Sequence, residues 1–241
     1  TGTYYSQDEV IRLIEHASDC GIQFILVDLM YQMVLDPGLT RYDLPAIMAA
    51  LSPEARRRVA FMDGLTKSAG ASNVRHAHLL CGDKKLAECM AAIASHTVLP
   101  NVLGEAAAFE VYGSDDPDRH PWVRRVVEPT HRSRGIFRAR MSGFDHTFVC
   151  DQGYYAFVRV APWLNRDLPA KLVFEDARGR RVERIEDTNN LSCYLTTHFG
   201  VAVVPGAPFY QPNFIRFSLA NTPDYTSGAI ARFDEALRAL D

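Results

Sequence analysis

An aspartate, a lysine and an arginine stand at positions where their side chains could act on one bound molecule. Asp28 ends the apolar run at residues 23–28, and Tyr31 follows three residues later. Lys67 lies in the segment D-G-L-T-K-S-A-G, directly after a second apolar run, and Arg75 lies eight residues beyond it. Ligands of α/β proteins bind at the carboxyl ends of the strands. The order therefore predicts a ligand site to which these side chains contribute.

The chemistry of these side chains is complementary to pyridoxal phosphate. A lysine amine forms a Schiff base with an aldehyde, and an aspartate beside the pyridine nitrogen keeps that nitrogen protonated. An arginine guanidinium recognises a phosphate through several donors, and small residues let the backbone come close to it. We therefore expect pyridoxal phosphate as the cofactor of Lys67, Asp28 and Arg75. Thr66 either gives the phosphate a hydroxyl or is an ordinary loop threonine.

Two segments resemble motifs of the class I/II aminotransferase family, whose members are fold-type-I enzymes that depend on pyridoxal phosphate. Residues 63–75, D-G-L-T-K-S-A-G-A-S-N-V-R, look like the family's lysine motif, which is N-G-x-S-K followed eight residues later by R. V-D-L-M-Y at residues 27–31 is similar to the family's D-x-x-Y. The resemblance implies that Asp28 meets the ring nitrogen, Tyr31 the ring hydroxyl and Arg75 the phosphate.

Three further segments extend the resemblance along the chain. F-I-R-F-S at 214–218 resembles the strand whose arginine binds the substrate α-carboxylate, which implies that role for Arg216. G-V-A-V-V-P-G at 200–206 matches the family's G-V-x-V-x-P-G, and Thr1-Gly2 looks like the end of N-P-x-N-P-T-G. The alternation within 214–218 also predicts Arg216 on the otherwise inward side of its strand.

If Thr1 is the end of that motif, important parts of the family's site would precede it. These are the turn that cradles the phosphate, the aromatic residue that stacks on the ring and the motif's asparagine. We therefore expect this sequence to be the C-terminal part of a longer protein.

The pattern departs from the family beside Arg75. Asn73 and Val74 stand where Gly and Trp are usual, and Ala77 replaces a usual glycine. These positions adjoin the expected phosphate site, so they put the reaction type in doubt more than the cofactor.

Apolar patterns predict the elements that position these residues. An S-x-x-E capping box at Ser6 precedes a helix with Val10, Leu13, Ile14 and Ala17 at helical spacing, and Gly21 is a natural stop. Residues 23–28 predict a strand buried on both faces of a parallel sheet. Further strands are predicted at 59–62, 77–80, 148–150, 155–160, 201–204 and 214–219, and further helices at 84–95, 104–112, 122–141 and 184–199.

Two of the helices carry additional information. The helix at 122–141 contains many arginines, which we predict on its solvent side. The last helix of the chain places its apolar residues on one face, and these are Ile230, Phe233, Leu237 and Leu240.

The order of elements predicts a fold-type-I α/β architecture. We expect an incomplete, mostly parallel sheet of the large cofactor-binding domain at residues 1–100. A smaller α+β domain, with the interdomain helix, follows at residues 101–241.

Composition excludes several classes of protein. A formal net charge of -3 gives no basic surface for nucleic acid, and no apolar run approaches the roughly 20 residues that a membrane helix needs. Five cysteines without a C-x-x-C pair indicate free thiols and a cytoplasmic protein. His76 and His78 share one face of a strand, but no third ligand follows at a telling spacing, so we expect no metal site.

We predict an enzyme that acts on an amino-acid substrate, with transamination as the default reaction. In the family's mechanism Lys67 would hold the cofactor and then act as general base on the Cα proton, while Arg216 holds the carboxylate. Elimination or replacement, C–C bond formation and racemisation share this proton transfer and stay open. The alternative outside the enzymes is a MocR-type regulator, which would carry a DNA-binding module before this segment. The family also implies a homodimer.

Overall fold

The computed structural model describes residues 2–97, 101–142 and 148–241. Contacts group them into two compact units, namely residues 4–127, the N-terminal unit, and residues 2–3 with 128–241, the C-terminal unit. This division differs from the predicted boundary at 100/101, because the helix after residue 101 packs within the N-terminal unit. Residues 98–100, at the predicted boundary, lie outside the described part.

The predicted elements occur in the predicted order, and the structure adds helices and strands that were not predicted. The α-helices are α1 (Gln7–Asp19), α2 (Leu44–Ala50), α3 (Pro53–Arg58), α4 (Leu65–Ser68), α5 (Lys84–Thr97), α6 (Val102–Tyr112), α7 (Pro121–Met141), α8 (Thr188–Phe199) and α9 (Pro223–Arg238). The β-strands are β1 (Ile25–Asp28), β2 (Val59–Asp63), β3 (His78–Cys81), β4 (Phe148–Val149), β5 (Tyr155–Arg159), β6 (Arg166–Asp167), β7 (Phe174–Glu175), β8 (Arg181–Val182), β9 (Arg184–Ile185), β10 (Val204–Pro205) and β11 (Phe214–Ser218). Among the described residues, no helix has both the length and the apolar stretch that crossing a bilayer requires.

The N-terminal unit contains a three-stranded sheet in the order β1-β2-β3. β1 and β2 are parallel and end together, since Asp28 is the register partner of Met62. β3 is antiparallel to β2, with His78 beside Asp63, so the described sheet is mixed where the sequence predicted a mostly parallel one. The reason is that α4 and the turn after it return the chain to the end where β2 stopped, without the crossover that a parallel neighbour needs.

Within the described residues β1 is covered on one face, whereas the sequence predicted two buried faces. Ile25 and Val27 pack on the core that α1, α2 and β2 share, whereas Leu26 is 48% exposed. β2 is buried along most of its length, with Phe61 at 1% exposure. An apolar run identifies a strand but does not show whether a second layer covers it.

The predicted capping box of α1 is confirmed. The Ser6 hydroxyl accepts the Glu9 N–H, and the Glu9 carboxylate accepts the Ser6 N–H. Val10 and Ile14 are buried, but Leu13 is 55% exposed, so the apolar stripe is narrower than its spacing predicted.

The C-terminal unit is built on a four-stranded sheet in the order β10-β11-β5-β4 with antiparallel neighbours. Ile215 and Phe217 of β11 face the core, where the Phe217 ring lies 4.9 Å from that of Phe233 on α9. The predicted apolar face of the last helix is confirmed for Ile230, Phe233 and Leu237, which are buried, whereas Leu240 is buried but follows the end of α9 at Arg238.

Two predicted boundaries in this unit were wrong. The helix predicted at 184–199 begins at Thr188, because the Asp187 carboxylate accepts the N–H groups of Asn189 and Asn190 and so caps it there. Residues 184–185 instead form β9. Of the strand predicted at 201–204, only the last residue is in a strand, β10.

The arginines of α7 do not all face solvent as predicted. Arg124, Arg132 and Arg140 are not buried, but Arg134 is fully buried and donates from Nη2 to the Gly153 carbonyl oxygen at 2.6 Å. A buried guanidinium needs such acceptors, since a buried N–H donor without a hydrogen bond destabilises the folded state.

Candidate active site

Asp28 lies at the shared carboxyl end of β1 and β2. The Leu29 N–H, next along the chain, donates to the Met62 carbonyl oxygen at 2.8 Å and ties the two strand ends together. Asp28 Oδ1 accepts the Met30 N–H at 3.0 Å, and the residue is exposed. The structure thus presents a carboxylate to solvent at the sheet edge where the sequence predicted a ligand.

Tyr31 lies in the turn that follows β1. The turn is held by the Gln32 N–H, which donates to the Leu29 carbonyl at 2.8 Å, and by the Val34 N–H, which donates to the Tyr31 carbonyl at 2.9 Å. The Tyr31 ring is half-buried, and Lys67 Nζ lies 5.9 Å from its centroid. The structure therefore brings the tyrosine and the lysine together.

Lys67 lies in the short helix α4, which begins two residues after β2 ends. Leu65 and Ser68 are fully buried and anchor the helix, whereas Thr66 and Lys67 are half-buried. Burial of the first and last residues of so short a segment fixes its orientation. The amine is consequently held at the same sheet edge as Asp28.

Gly64 and α4 form a short connection, residues 64–68, which we call the lysine loop. Gly64 sets how closely the lysine loop approaches the segment before β3. A Cβ on residue 64 would lie 2.6 Å from the His76 carbonyl oxygen and 3.0 Å from Ala77 Cα. Both are backbone atoms, which cannot rotate away as a side chain can. Only glycine allows the lysine loop and the segment after Arg75 to pass at this distance.

Arg75 lies three residues before β3, at the same end of the sheet, because β3 begins opposite the last residue of β2. Its backbone is left-handed, with φ of 53°, which is uncommon for a residue with a side chain. Its guanidinium is exposed, and Nη1 donates to the Ser72 carbonyl at 3.2 Å. A guanidinium has five N–H donors, so this bond leaves capacity for a phosphate.

A buried carboxylate beneath the loop was not singled out from the sequence. Asp63, the last residue of β2, is only 2% exposed. Its Oδ1 accepts the Gly64 N–H at 2.7 Å, and its Oδ2 accepts Gln32 Nε2 at 2.5 Å and the Tyr112 hydroxyl at 3.1 Å. The available signal was an aspartate in place of the family's asparagine, but its partners come from segments far away in sequence.

The surroundings of Asp63 shift the pKa values of two titratable groups, Tyr112 and His78. Burial, then the charge and hydrogen bond of Asp63, raise the pKa of the Tyr112 phenol well above its ordinary value. Burial lowers the pKa of the His78 imidazole; the Asp63 charge opposes this shift and His76 adds to it. Both groups are therefore uncharged at neutral pH, and Tyr112 keeps the proton that it donates to Asp63.

Arg216 lies in the C-terminal unit, on β11. Its guanidinium carbon is 4.1 Å from the centroid of the Tyr155 ring and 4.6 Å from that of Phe209. The prediction that Arg216 takes the inward side is wrong, since Ile215 and Phe217 occupy that side and Arg216 is half-buried on the other. Two aromatic faces hold the cation by cation–π attraction and restrict its rotamers.

Of the predicted Thr1-Gly2 motif, Thr1 lies outside the described residues. Position 2 requires glycine for structural reasons. The Gly2 carbonyl accepts the N–H groups of Asp151 at 2.7 Å and Gln152 at 2.9 Å. Its φ is +90°, and a Cβ there would overlap the Tyr155 carbonyl oxygen.

The donor set of the N-terminal unit fits pyridoxal phosphate. An exposed carboxylate, a phenol, an amine 5.9 Å from the phenol ring and an exposed guanidinium stand at one sheet edge, on Asp28, Tyr31, Lys67 and Arg75. They match a pyridine nitrogen, a ring hydroxyl, an aldehyde and a phosphate. In the described part of the chain, no three His, Cys, Asp or Glu side chains are grouped to hold a metal ion.

Comparison with known proteins places the chain among relatives of similar sequence and fold. A family model described as "Aminotransferase class I and II" matches residues 1–233. Aspartate aminotransferase of Geobacillus stearothermophilus is 25% identical over 241 residues, which cover 99% of this chain and 55% of the relative. That of Rhizobium meliloti strain 1021 is 24% identical over 100% of this chain and 54% of its own length.

Solved structures agree on the fold. The aspartate aminotransferase from Rhizobium meliloti superposes with a TM-score of 0.79 at 24% identity, covering 100% of this chain and 56% of that one. The enzyme from Thermotoga maritima gives a TM-score of 0.74 at 20% identity, covering 99% and 54%. The predicted fold-type-I α/β class is confirmed, and the chain spans about half the length of these proteins.

Proposed function

Because the chain belongs to the class I and II aminotransferase family, we propose that it forms part of a pyridoxal-phosphate-dependent enzyme that transfers the amino group of an amino acid. The observation that carries the proposal is the position of the Lys67 amine. It lies 5.9 Å from the Tyr31 ring centroid, at the sheet edge that also presents Asp28.

The cofactor supplies an aldehyde that bonds to amines and a pyridinium ring that withdraws electrons from the substrate Cα. Asp28 would accept a hydrogen bond from the protonated ring nitrogen, because its carboxylate is exposed and only its Oδ1 is engaged by the turn, at the Met30 N–H. Tyr31 would donate its hydroxyl to the ring oxygen. Arg75, with Thr66, would bind the phosphate.

Lys67 has two roles in this proposal. Its Nζ would hold the cofactor covalently between turnovers, and it would take up the Cα proton after a substrate amine has displaced it. Partial burial beside an aromatic ring suits both roles, since it restrains the amine while leaving it accessible.

Arg216 would bind the α-carboxylate of the substrate. A guanidinium in contact with two aromatic rings is pre-oriented to present two parallel donors to a carboxylate. The relatives' names point to aspartate as an amino-acid substrate to test first.

Two further features belong to the proposal. We propose a homodimer in solution, which light scattering of the full-length protein would show as twice the monomer mass. We also propose a cytoplasmic protein, supported by its five free cysteines.

The test uses the full-length protein with pyridoxal phosphate, a panel of amino acids and a 2-oxo acid acceptor. We expect Lys67→Arg to lower kcat by about a thousandfold or more, because it removes both the covalent bond and the base. Lys85→Arg, an exposed lysine on α5, is the control and should leave kcat unchanged. Retained turnover in Lys67→Arg would contradict the proposal, and 2-oxo acid release without an acceptor would indicate elimination instead.

A further inference from the structure

The buried cluster around Asp63 joins the two segments that carry the candidate cofactor residues. Gln32 directly follows Tyr31 in the turn after β1, and Asp63 ends β2 just before the loop of Lys67. Gln32 is 6% exposed and Asp63 2%, and they are joined by the bond from Gln32 Nε2 to Asp63 Oδ2.

The same carboxylate fixes the start of the lysine loop and the end of α6. Its Oδ1 accepts the Gly64 N–H at 2.7 Å, and its Oδ2 accepts the hydroxyl of Tyr112, the last residue of α6, at 3.1 Å. An ionised carboxylate only accepts hydrogen bonds, so its three donors match its chemistry. Breaking one bond would leave a buried donor unsatisfied.

We propose that the Asp63–Gln32 pair is a positioning device that sets the turn of Tyr31 relative to the loop of Lys67, and thereby the affinity for pyridoxal phosphate. The inference rests on the proposed function. Asp63 and Gln32 act through their neighbours, since neither lies on the exposed edge. The pair is a direct side-chain link between a residue adjacent to Tyr31 and the strand that leads to Lys67.

The hydrogen bond between Gln32 and Asp63 can be broken by one substitution and restored by a second, with the donor and the acceptor exchanged. Gln32→Glu sets two carboxylates against each other in a buried place, which pushes the turn and the loop apart unless they share a proton. Asp63→Asn alone should be mild, because the amide nitrogen introduced at position 63 has two N–H groups. The Gln32 amide can turn over and accept one of them, and the Tyr112 hydroxyl, which is only partly buried, can turn and accept the other. In the double variant that amide nitrogen donates to the carboxylate introduced at position 32 and to the Tyr112 oxygen, and the amide oxygen at position 63 still accepts the Gly64 N–H.

The experiment measures the dissociation constant of pyridoxal phosphate by absorbance titration in the full-length protein, between pH 6 and pH 9. We expect Gln32→Glu to raise this constant by about tenfold or more, which is about 1.4 kcal/mol, and by more at high pH than at low pH. Adding Asp63→Asn should return it to within about threefold of the unmodified protein at every pH.

A control separates positioning from general loss of stability. Val59→Ala removes buried methyl groups from the far end of β2, away from the pair, and lowers the melting temperature without changing the cluster. We expect its cofactor affinity to stay within about twofold of normal. Suppose that Val59→Ala and Gln32→Glu lower the melting temperature equally and also weaken cofactor binding equally. The pair would then act through stability alone, and the proposal would be wrong.

Two other outcomes would overturn the proposal, and one would overturn its premise. Normal affinity in Gln32→Glu, or the absence of rescue by Asp63→Asn, would show that the pair does not set the site. Failure of the unmodified protein to bind pyridoxal phosphate at all would instead refute the proposed function.

Discussion

Single residues of the candidate site fall into two groups by burial. Asp28 and Arg75 are exposed and Lys67 is half-buried, as groups that meet a ligand must be accessible. Asp63 and Gln32 are buried and hydrogen-bonded, as residues that fix the accessible ones usually are. The division follows from position on the strands, since the accessible residues lie beyond the strand ends or on the uncovered face of β1.

Arg216 provides a test at this scale. Lysine would keep the charge in Arg216→Lys but lose the planar fork and much of the stacking on Tyr155 and Phe209. We expect the KM for the amino-acid substrate to rise by about tenfold to a hundredfold while the melting temperature changes little. The measurement is steady-state kinetics on the full-length protein.

The matched control is Arg159→Lys, on the adjacent strand β5, where the arginine is exposed. It should leave KM unchanged. Equal effects of the two substitutions would refute a carboxylate-binding role for Arg216.

The sequence predicted the accessible residues because each lies in a motif with fixed spacing, such as Lys67 and Arg75. It did not identify Asp63 as a buried carboxylate that accepts several hydrogen bonds. The reason is that its partners Gln32 and Tyr112 come from a turn and a helix that are distant in the sequence. Hydrogen bonds of that kind depend on tertiary packing, which residue spacing does not encode. Arg134 was misassigned for the same reason.

Among the elements, the lysine loop depends on close packing. α4 spans only four residues, so its own hydrogen bonds cannot hold it, and buried Leu65 and Ser68 must do so. A Cβ added to Gly64 would come within 2.6 Å of the His76 carbonyl oxygen, so little room remains between this loop and the segment before β3.

Gly64→Ala should therefore displace the loop and weaken cofactor binding. We expect a loss of about 2 kcal/mol or more in the free energy of unfolding, and a clear rise in the dissociation constant of pyridoxal phosphate. Denaturant titration and absorbance titration measure the two effects. Gly135→Ala is the control, because a Cβ there meets nothing within 4 Å and alanine favours the helix, so stability should hold or rise. Unchanged cofactor affinity in Gly64→Ala would contradict this account of the loop.

Element types were predicted better than their surroundings. The order of the predicted helices and strands and the capping box of α1 follow from local patterns, and the structure agrees, whereas α2, α3 and β6 to β8 were not predicted. The antiparallel direction of β3, the open face of β1 and the late start of α8 depend on chain return, on layer coverage and on the Asp187 cap. The first two are properties of the assembled sheet, whereas the cap was readable in the sequence.

For the whole molecule, the family relation and the positions of the candidate residues both support the proposed function. The family model matches residues 1–233, and the five candidate cofactor residues belong to the N-terminal unit, while Arg216 belongs to the C-terminal unit. The chain spans about half the length of its relatives, so the activity we propose is that of the full-length protein.

The most direct test of the central claim is to locate the covalent attachment of the cofactor. Full-length protein is incubated with pyridoxal phosphate, reduced with borohydride, digested and analysed by peptide mass spectrometry. We expect one modified peptide, carrying the reduced cofactor on Lys67, and none at that position in Lys67→Arg. Stoichiometric cofactor attached to another lysine, or bound without any attachment to Lys67, would contradict the assignment of this residue.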